Sequence, residues 1–217
     1  MSDLQAVFFD MDGTLVHTES TWLDAEIAVA EQLGGTWTPE DQAAHVGGPL
    51  PKVGASILRS AGRDDLTPDE VGELLNAEVE RLLRTGPVHW MPGAKELLDE
   101  VLAAGVPVAL VSASYRRLVD AVLAAVGDAF TTTVAGDEVA ELKPAPHAYL
   151  EAARRLGVEP ARCVVLEDSP TGVRAGEAAG CPVVAVPSVA PVEPAPGRTV
   201  VTSLEQVDLD RLRRLVR

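Results

Sequence analysis

Leu4-Gln5-Ala6-Val7-Phe8-Phe9 stops abruptly at Asp10-Met11-Asp12-Gly13-Thr14. A short apolar run ending in polar, turn-forming residues reads as a buried strand followed by a tight loop. Downstream the period changes. Residues 19–33 place Trp22, Ala25, Ala28, Val29 and Leu33 at helical spacing, and Gly34-Gly35 ends the run. Residues 50–61 read as a second helix and 67–83 as a third, opening with Thr67-Pro68-Asp69-Glu70: a cap, a proline at the first helical position and acidic first-turn residues. The last stripe, Val71, Leu74, Leu75, Val79, Leu82 and Leu83, needs apolar partners, so residues 17–85 are expected to form a small helical bundle.

Beyond Thr85-Gly86-Pro87 the pattern alternates. Strands are predicted at 106–111, 131–134, 163–166, 183–186 and 199–201, and helices at 94–104, 116–126, 147–156, 171–179 and from about 209. Such alternation implies an α/β fold with a doubly wound parallel sheet covered on both faces. Continuous apolar runs at 108–111 and 164–166 support burial on both sides. Residues 189–197 form an Ala/Pro-rich loop. The expected organisation is a Rossmann-like core from 1–16 and 86–217 with the helical unit 17–85 inserted.

Composition narrows the function. The 217 residues suffice for one core with room for an inserted unit. Eighteen basic against 33 acidic side chains leave a net charge of −15, which repels nucleic-acid backbones. The basic cluster Arg211, Arg213, Arg214 and Arg217 reads as a solvated helix face. With 47% hydrophobic and 24% charged residues, wholesale disorder is excluded. No apolar run reaches the length of a membrane span, and Met1-Ser2-Asp3 lacks the layout of a secretory signal, so a cytoplasmic protein with no membrane partner is expected. Cys163 and Cys181 read as small core residues without need of a disulfide. Of the 18 basic residues only Lys52, Lys95 and Lys143 are lysines.

Open parallel sheets bind ligands at the carboxyl ends of their strands. There stand Asp10, Asp12, Gly13 and Thr14; Ser112, Ala113 and Ser114; Lys143-Pro144; and Glu167, Asp168 and Ser169. Carboxylates crowded together repel unless a cation neutralises them. A hard divalent ion such as Mg²⁺ fits an oxygen-only donor set and also holds phosphate oxygens. A lysine and a serine hydroxyl supply further contacts to a phosphoryl group, whose transfer depends on positioning and charge neutralisation.

Asp10-Met11-Asp12-Gly13-Thr14-Leu15, Ser112 behind a strand, Lys143-Pro144-Ala145-Pro146, and Leu166-Glu167-Asp168-Ser169 followed by Gly172 and Ala178-Ala179-Gly180 resemble, in order, the four motifs of the haloacid dehalogenase superfamily. The helical insertion resembles its alpha-helical cap type, in the beta-phosphoglucomutase-like and sugar-phosphatase branch. The resemblance implies that Asp10 is a nucleophile forming an aspartyl-phosphate and that Asp12 is the acid for the leaving oxygen and then the base for water. It implies that Gly13, Thr14, Ser112, Ala113 and Lys143 hold the phosphoryl group, Lys143 also orienting Asp10. The Mg²⁺ site it implies consists of the Asp10 and Asp168 carboxylates and the Asp12 backbone carbonyl, with Glu167 in support directly or through water.

Each residue has a plainer reading. Asp10 and Asp12 are also turn formers, and Ser114 competes with Ser112, since either hydroxyl can cap the following helix. Gly172, Gly176 and Gly180 read as packing glycines. His17, His45, His89 and His147 do not cluster in sequence; His17 and His147 stand where relatives often carry acids. Trp22 stands where the mutases carry a histidine, and the loop from Gly47 to Lys52 lacks their arginine, which favours hydrolysis over mutase chemistry. A true dehalogenase would not need Asp12. The expectation is a Mg²⁺-dependent phosphatase of small phosphomonoesters, sugar or polyol phosphates, acting as a monomer or weak dimer on a small phosphorylated metabolite. A phosphosugar mutase and a non-catalytic binding protein are the competing readings.

Overall fold

The computed structural model describes residues 4–45, 50–127, 129–188 and 190–216. Met1-Ser2-Asp3, Gly47-Gly48-Pro49 of the substrate-choice loop, Val189 and Arg217 lie outside the described residues. The elements run β1 (Ala6–Phe9), β2 (Val16–His17), α1 (Glu19–Gln32), α2 (Pro39–Ala43), α3 (Leu50–Ala61), α4 (Pro68–Thr85), β3 (His89–Trp90), α5 (Ala94–Ala103), β4 (Val108–Val111), α6 (Arg116–Val126), β5 (Thr132–Val134), α7 (His147–Leu156), β6 (Cys163–Glu167), α8 (Pro170–Ala178), β7 (Val183–Ala185), β8 (Arg198–Val200) and α9 (Leu209–Leu215). They fall into two compact units, Met1–His17 with His89–Arg217, and Thr18–Val88.

The first unit is built on a six-stranded sheet ordered β5-β4-β1-β6-β7-β8, every pairing parallel. This is the expected α/β, Rossmann-like architecture. All residues of β1, β4, β6 and β7 are buried, which explains why their sequences are apolar runs and not alternations. Side chains of successive residues in β1 leave on opposite faces: Phe8 stacks on Tyr149 of α7, centroids 6.3 Å apart, while Phe9 meets Phe130 edge-on at 6.1 Å. Cys163 and Cys181 are buried and unjoined. The chain leaves β1 toward β4 and β5, then returns to the other side for β6, β7 and β8. The strand order therefore reverses at β1, where such sheets open a crevice beyond the strand ends.

Two short strands were not predicted. β2 and β3 pair antiparallel, with Val16 opposite Trp90 and His17 opposite His89. Two of the four histidines, distant in sequence, are thus register partners.

In the second unit, α1, α3 and α4 pack around Val29, Leu33, Trp37, Val53, Ile57, Val71 and Leu75. Thr67 caps α4 as expected: its hydroxyl accepts from the Glu70 N–H while the Glu70 carboxylate accepts from the Thr67 N–H. Gly54 lets α3 approach the start of α4, since a β-carbon there would overlap the Pro68 carbonyl. The helix α2 was not foreseen; it begins with a second such box, Thr38 with Asp41. Among the described residues no helix is long and apolar enough to cross a membrane.

Candidate active site

Hydrogen bonds of the central sheet fix the site's frame. The Asp10 N–H donates to Leu166 O at 3.0 Å, and Phe9 is in register with Leu110 of β4 and Leu166 of β6, so the loops behind β1, β4 and β6 start level with one another. Behind β1 the chain turns at once, Gly13 taking φ +82°. A β-carbon at Gly13 would overlap the Asp168 carboxylate, so glycine is required there both for the backbone sign and for space.

Lys143 reaches the crevice from the segment before α7, its side chain 5% exposed. The peptide bond to Pro144 is cis. All three ammonium protons are used: Nζ donates to Asp10 Oδ1 at 2.6 Å, to Glu167 Oε1 at 2.6 Å and to the Val111 carbonyl at 3.0 Å. Glu167 is fully buried and equally committed. Oε1 also accepts from the Tyr149 hydroxyl at 2.8 Å, and Oε2 accepts from the Asp168 N–H, the Ser169 N–H and the Ser169 hydroxyl at 3.1, 3.2 and 3.1 Å. Gly172 makes room for it, because a β-carbon there would overlap the Glu167 carboxylate.

Asp12 sits on the β4 side. Its Oδ2 accepts from the Ser114 hydroxyl at 2.8 Å and from the Ser112 hydroxyl at 3.3 Å. Ser112, fully buried, also accepts the Ser114 N–H at 2.9 Å. Both competing serines therefore meet the same acid. The Gly13 N–H is committed to the Val16 carbonyl at 2.9 Å. The Thr14 hydroxyl is buried with no hydrogen-bond partner among the described residues. Gly136 lies against the Ala113 carbonyl, leaving no space for a side chain.

Electrostatics define what this set can hold. Asp10, Glu167 and Asp168 are buried, with carboxylate oxygens within 4.8 Å of one another. Burial, then the charge of Glu167, pushes the Asp10 pKa well up, against the opposing pull of Lys143. Burial and Glu167 likewise push Asp168 up to about 7, while the Ser188 hydroxyl, hydrogen-bonded to Asp168 Oδ2, pulls it down. Burial works against the Lys143 ammonium, but Asp10 and Glu167 outweigh it and raise its pKa. One ammonium among several crowded carboxylates leaves a negative, oxygen-only pocket, which suits a hard divalent cation.

The structure brings Asp10, Asp12, Ser112, Lys143, Glu167 and Asp168 together behind the central strands. Ser188 and Tyr149 also belong to this cluster and are not among the residues the sequence singles out. Asp168 follows β6 directly, but Ser188 stands three residues beyond β7, past Val186-Pro187, where the strand pattern marks it less plainly. Tyr149 sits within the apolar stripe of α7, where nothing in the sequence separates a polar tip from a core ring.

A sequence model of the haloacid dehalogenase-like hydrolase family matches residues 4–180. Protein CbbY of Rhodobacter capsulatus is 36% identical over 200 residues, covering 86% of this chain and 86% of that protein. Hexitol phosphatase A of Escherichia coli (strain K12) is 33% identical over 185 residues, covering 82% of this chain and 81% of that protein. The crystal structure of a CbbY mutant from Rhodobacter sphaeroides in complex with xylulose-(1,5)bisphosphate superposes with a TM-score of 0.83 at 28% identity, covering 96% of this chain and 99% of that one. With its sheet order, its strand-end residues and a match over most of its length all in agreement, the chain belongs to the haloacid dehalogenase-like hydrolase family.

Proposed function

We propose that this protein is a Mg²⁺-dependent phosphatase of small sugar or polyol phosphates, working through a phosphoryl group carried on Asp10. The observation that carries the reading is the junction at the end of β1: an acceptor carboxylate, Asp10, bonded to a buried lysine and flanked by the carboxylates of Glu167 and Asp168. Lys143 orients Asp10 and lowers its charge, so that a carboxylate oxygen can approach an anionic phosphorus. An Asp10 oxygen forms a bond to phosphorus as the ester oxygen leaves, and Asp12 gives that oxygen its proton. Asp12, now a carboxylate, takes a proton from water as the water oxygen attacks phosphorus. The bond to Asp10 breaks, and inorganic phosphate and free Asp10 result.

In this reading Thr14, Ser112 and the Ala113 backbone offer donors to the transferring oxygens. Gly13 lets the backbone come close to them and Lys143 supplies positive charge beside them, the donors of these last two being bound within the protein. Asp10, Asp168 and the Asp12 carbonyl hold the cation, with Glu167 contributing charge while its own oxygens stay bound to protein donors. Bound Mg²⁺ supplies the charge neutralisation that lets Asp10 and a phosphate come together. The helical unit, Thr18–Val88, serves as the cap. The hexitol phosphatase and the bisphosphate complex among the relatives support the substrate class.

A panel of phosphomonoesters assayed with Mg²⁺ or EDTA tests the proposal. Metal-dependent phosphate release is expected, strongest on sugar or polyol phosphates. Asp10→Asn should fall to background while its circular dichroism is unchanged; release that persists in this variant, or none from any ester by the wild type, overturns the reading.

A further inference from the structure

We propose that Tyr149 is a positioning residue of this site: its hydroxyl and its ring together hold Glu167 on Lys143, and so keep Lys143 on Asp10. The inference rests on the phosphatase reading and deepens it.

Tyr149 is the third residue of α7 and has no exposed surface. It touches both members of the buried ion pair. Its hydroxyl donates to Glu167 Oε1 at 2.8 Å, the same oxygen that accepts from Lys143 at 2.6 Å. Its ring face lies 4.9 Å from the Lys143 Nζ, within the range of a cation–π contact. The ring also stacks on Phe8, whose plane is within 15° of it and which stands two residues before Asp10 in the chain. A space-filling role alone needs only the ring. Burying a hydroxyl costs free energy unless it is hydrogen-bonded, and here its partner is the carboxylate paired with the site's lysine.

Removing the hydroxyl leaves Glu167 Oε1 with one donor in place of two, in a pocket closed to water. Oε1 is then held by Lys143 alone while Oε2 keeps its donors, and the counter-charge that sets the distance of Lys143 from Asp10 is less firmly fixed. A phenylalanine keeps the ring, the stacking and the cation–π contact, so Tyr149→Phe isolates the hydroxyl. Because Tyr149 is behind the lysine and away from the crevice, its loss should appear in the turnover step and not in substrate binding.

The experiment is a double-mutant cycle of Tyr149→Phe and Glu167→Gln, followed by kcat and KM and, separately, by urea unfolding. Tyr149→Phe is expected to lower kcat about tenfold with KM within about twofold of wild type. In the Glu167→Gln background the same change should lower kcat by less than about twofold, because the partner through which it acts is already altered. A Tyr149→Phe enzyme with wild-type kcat overturns the proposal, as do losses that multiply in the double variant. Wild-type protein without metal-dependent turnover would instead sink the phosphatase reading. The unfolding cycle then still decides the Tyr149–Glu167 link: independent losses of stability reject it, and a shared loss retains it.

Discussion

Glu167 owes its place to a methyl group that is not there. The carboxylate bends back under the first turn of α8, onto the Asp168 and Ser169 amides, and passes through the space that a side chain at Gly172 would fill. Gly172→Ala should therefore displace a buried, fully bonded carboxylate and cost about 3 kcal/mol, in the upper range of single substitutions. Gly176, one helical turn on, supplies the control. A β-carbon there meets the Val165 and Val183 side chains at 3.1–3.2 Å, apolar contacts that small shifts relieve, and about 1 kcal/mol of helix propensity regained by alanine offsets them. Urea unfolding of the two variants checks this, and equal losses would show that Gly172 is an ordinary packing glycine. The sequence presented Gly172, Gly176 and Gly180 as one periodic set; what separates them is which side chain each faces, and that is not written in the spacing. The acids were legible for the opposite reason. A carboxylate directly behind a buried strand has its position fixed by the strand, so its location follows from the pattern; Lys143, nine residues beyond β5, was legible through the Lys143-Pro144-Ala145-Pro146 motif instead.

At the scale of elements, long amphipathic segments were legible and short ones were not. The helix α3 is found where its period puts it, and α4 starts behind the predicted Thr67 cap. By contrast β2 and β3 are two residues each and α2 is five with no buried residue, too little for any periodicity to register. The helix α1 holds a feature no period reveals: Glu26, placed among apolar residues, is 5% exposed and its Oε2 accepts from the Trp37 indole N–H at 2.8 Å. Burial pushes its pKa up to about 7 against the smaller pulls of Trp37 and His45. The folded chain therefore keeps a proton on Glu26 that the unfolded chain gives up above about pH 4.5. Its contribution to stability is complete below that value and is lost as pH rises through about 7. Glu26→Gln keeps an acceptor for Trp37 and never ionises. It should flatten the fall in stability between about pH 5 and 8 by an amount of order 2 kcal/mol. Urea titrations at the two pH values read this directly, and a variant with the wild-type slope would place the titration elsewhere.

At the scale of the whole molecule, a chain of net charge −15 gathers several of its 33 acids at one sheet edge. Without a cation, burial and mutual repulsion push the pKa of Asp10 up and that of Asp168 to about 7. Between about pH 4 and 7 the folded chain binds protons that the unfolded chain releases, so stability falls as pH rises through that window. A cation bound by these carboxylates reverses the trend, because it competes with protons and binds best where they are gone. The expected signature is an interaction between pH and Mg²⁺. In EDTA the melting temperature should be lower at pH 8 than at pH 5.5. Added Mg²⁺ at about 100 times its Kd contributes about 2.7 kcal/mol at pH 8, roughly 5–10 °C in a chain of this length, and little at pH 5.5. Diffuse screening of a strongly acidic surface would also raise the melting temperature, so the decisive comparison is Asp168→Asn. That variant removes one of 33 acidic side chains and leaves the diffuse effect almost intact while taking away a carboxylate of the cluster. Loss of the Mg²⁺ increment in Asp168→Asn locates the cation at the end of β6. A full increment in that variant, or an equal one at both pH values, assigns the stabilisation to screening and removes Asp168 from the cation site.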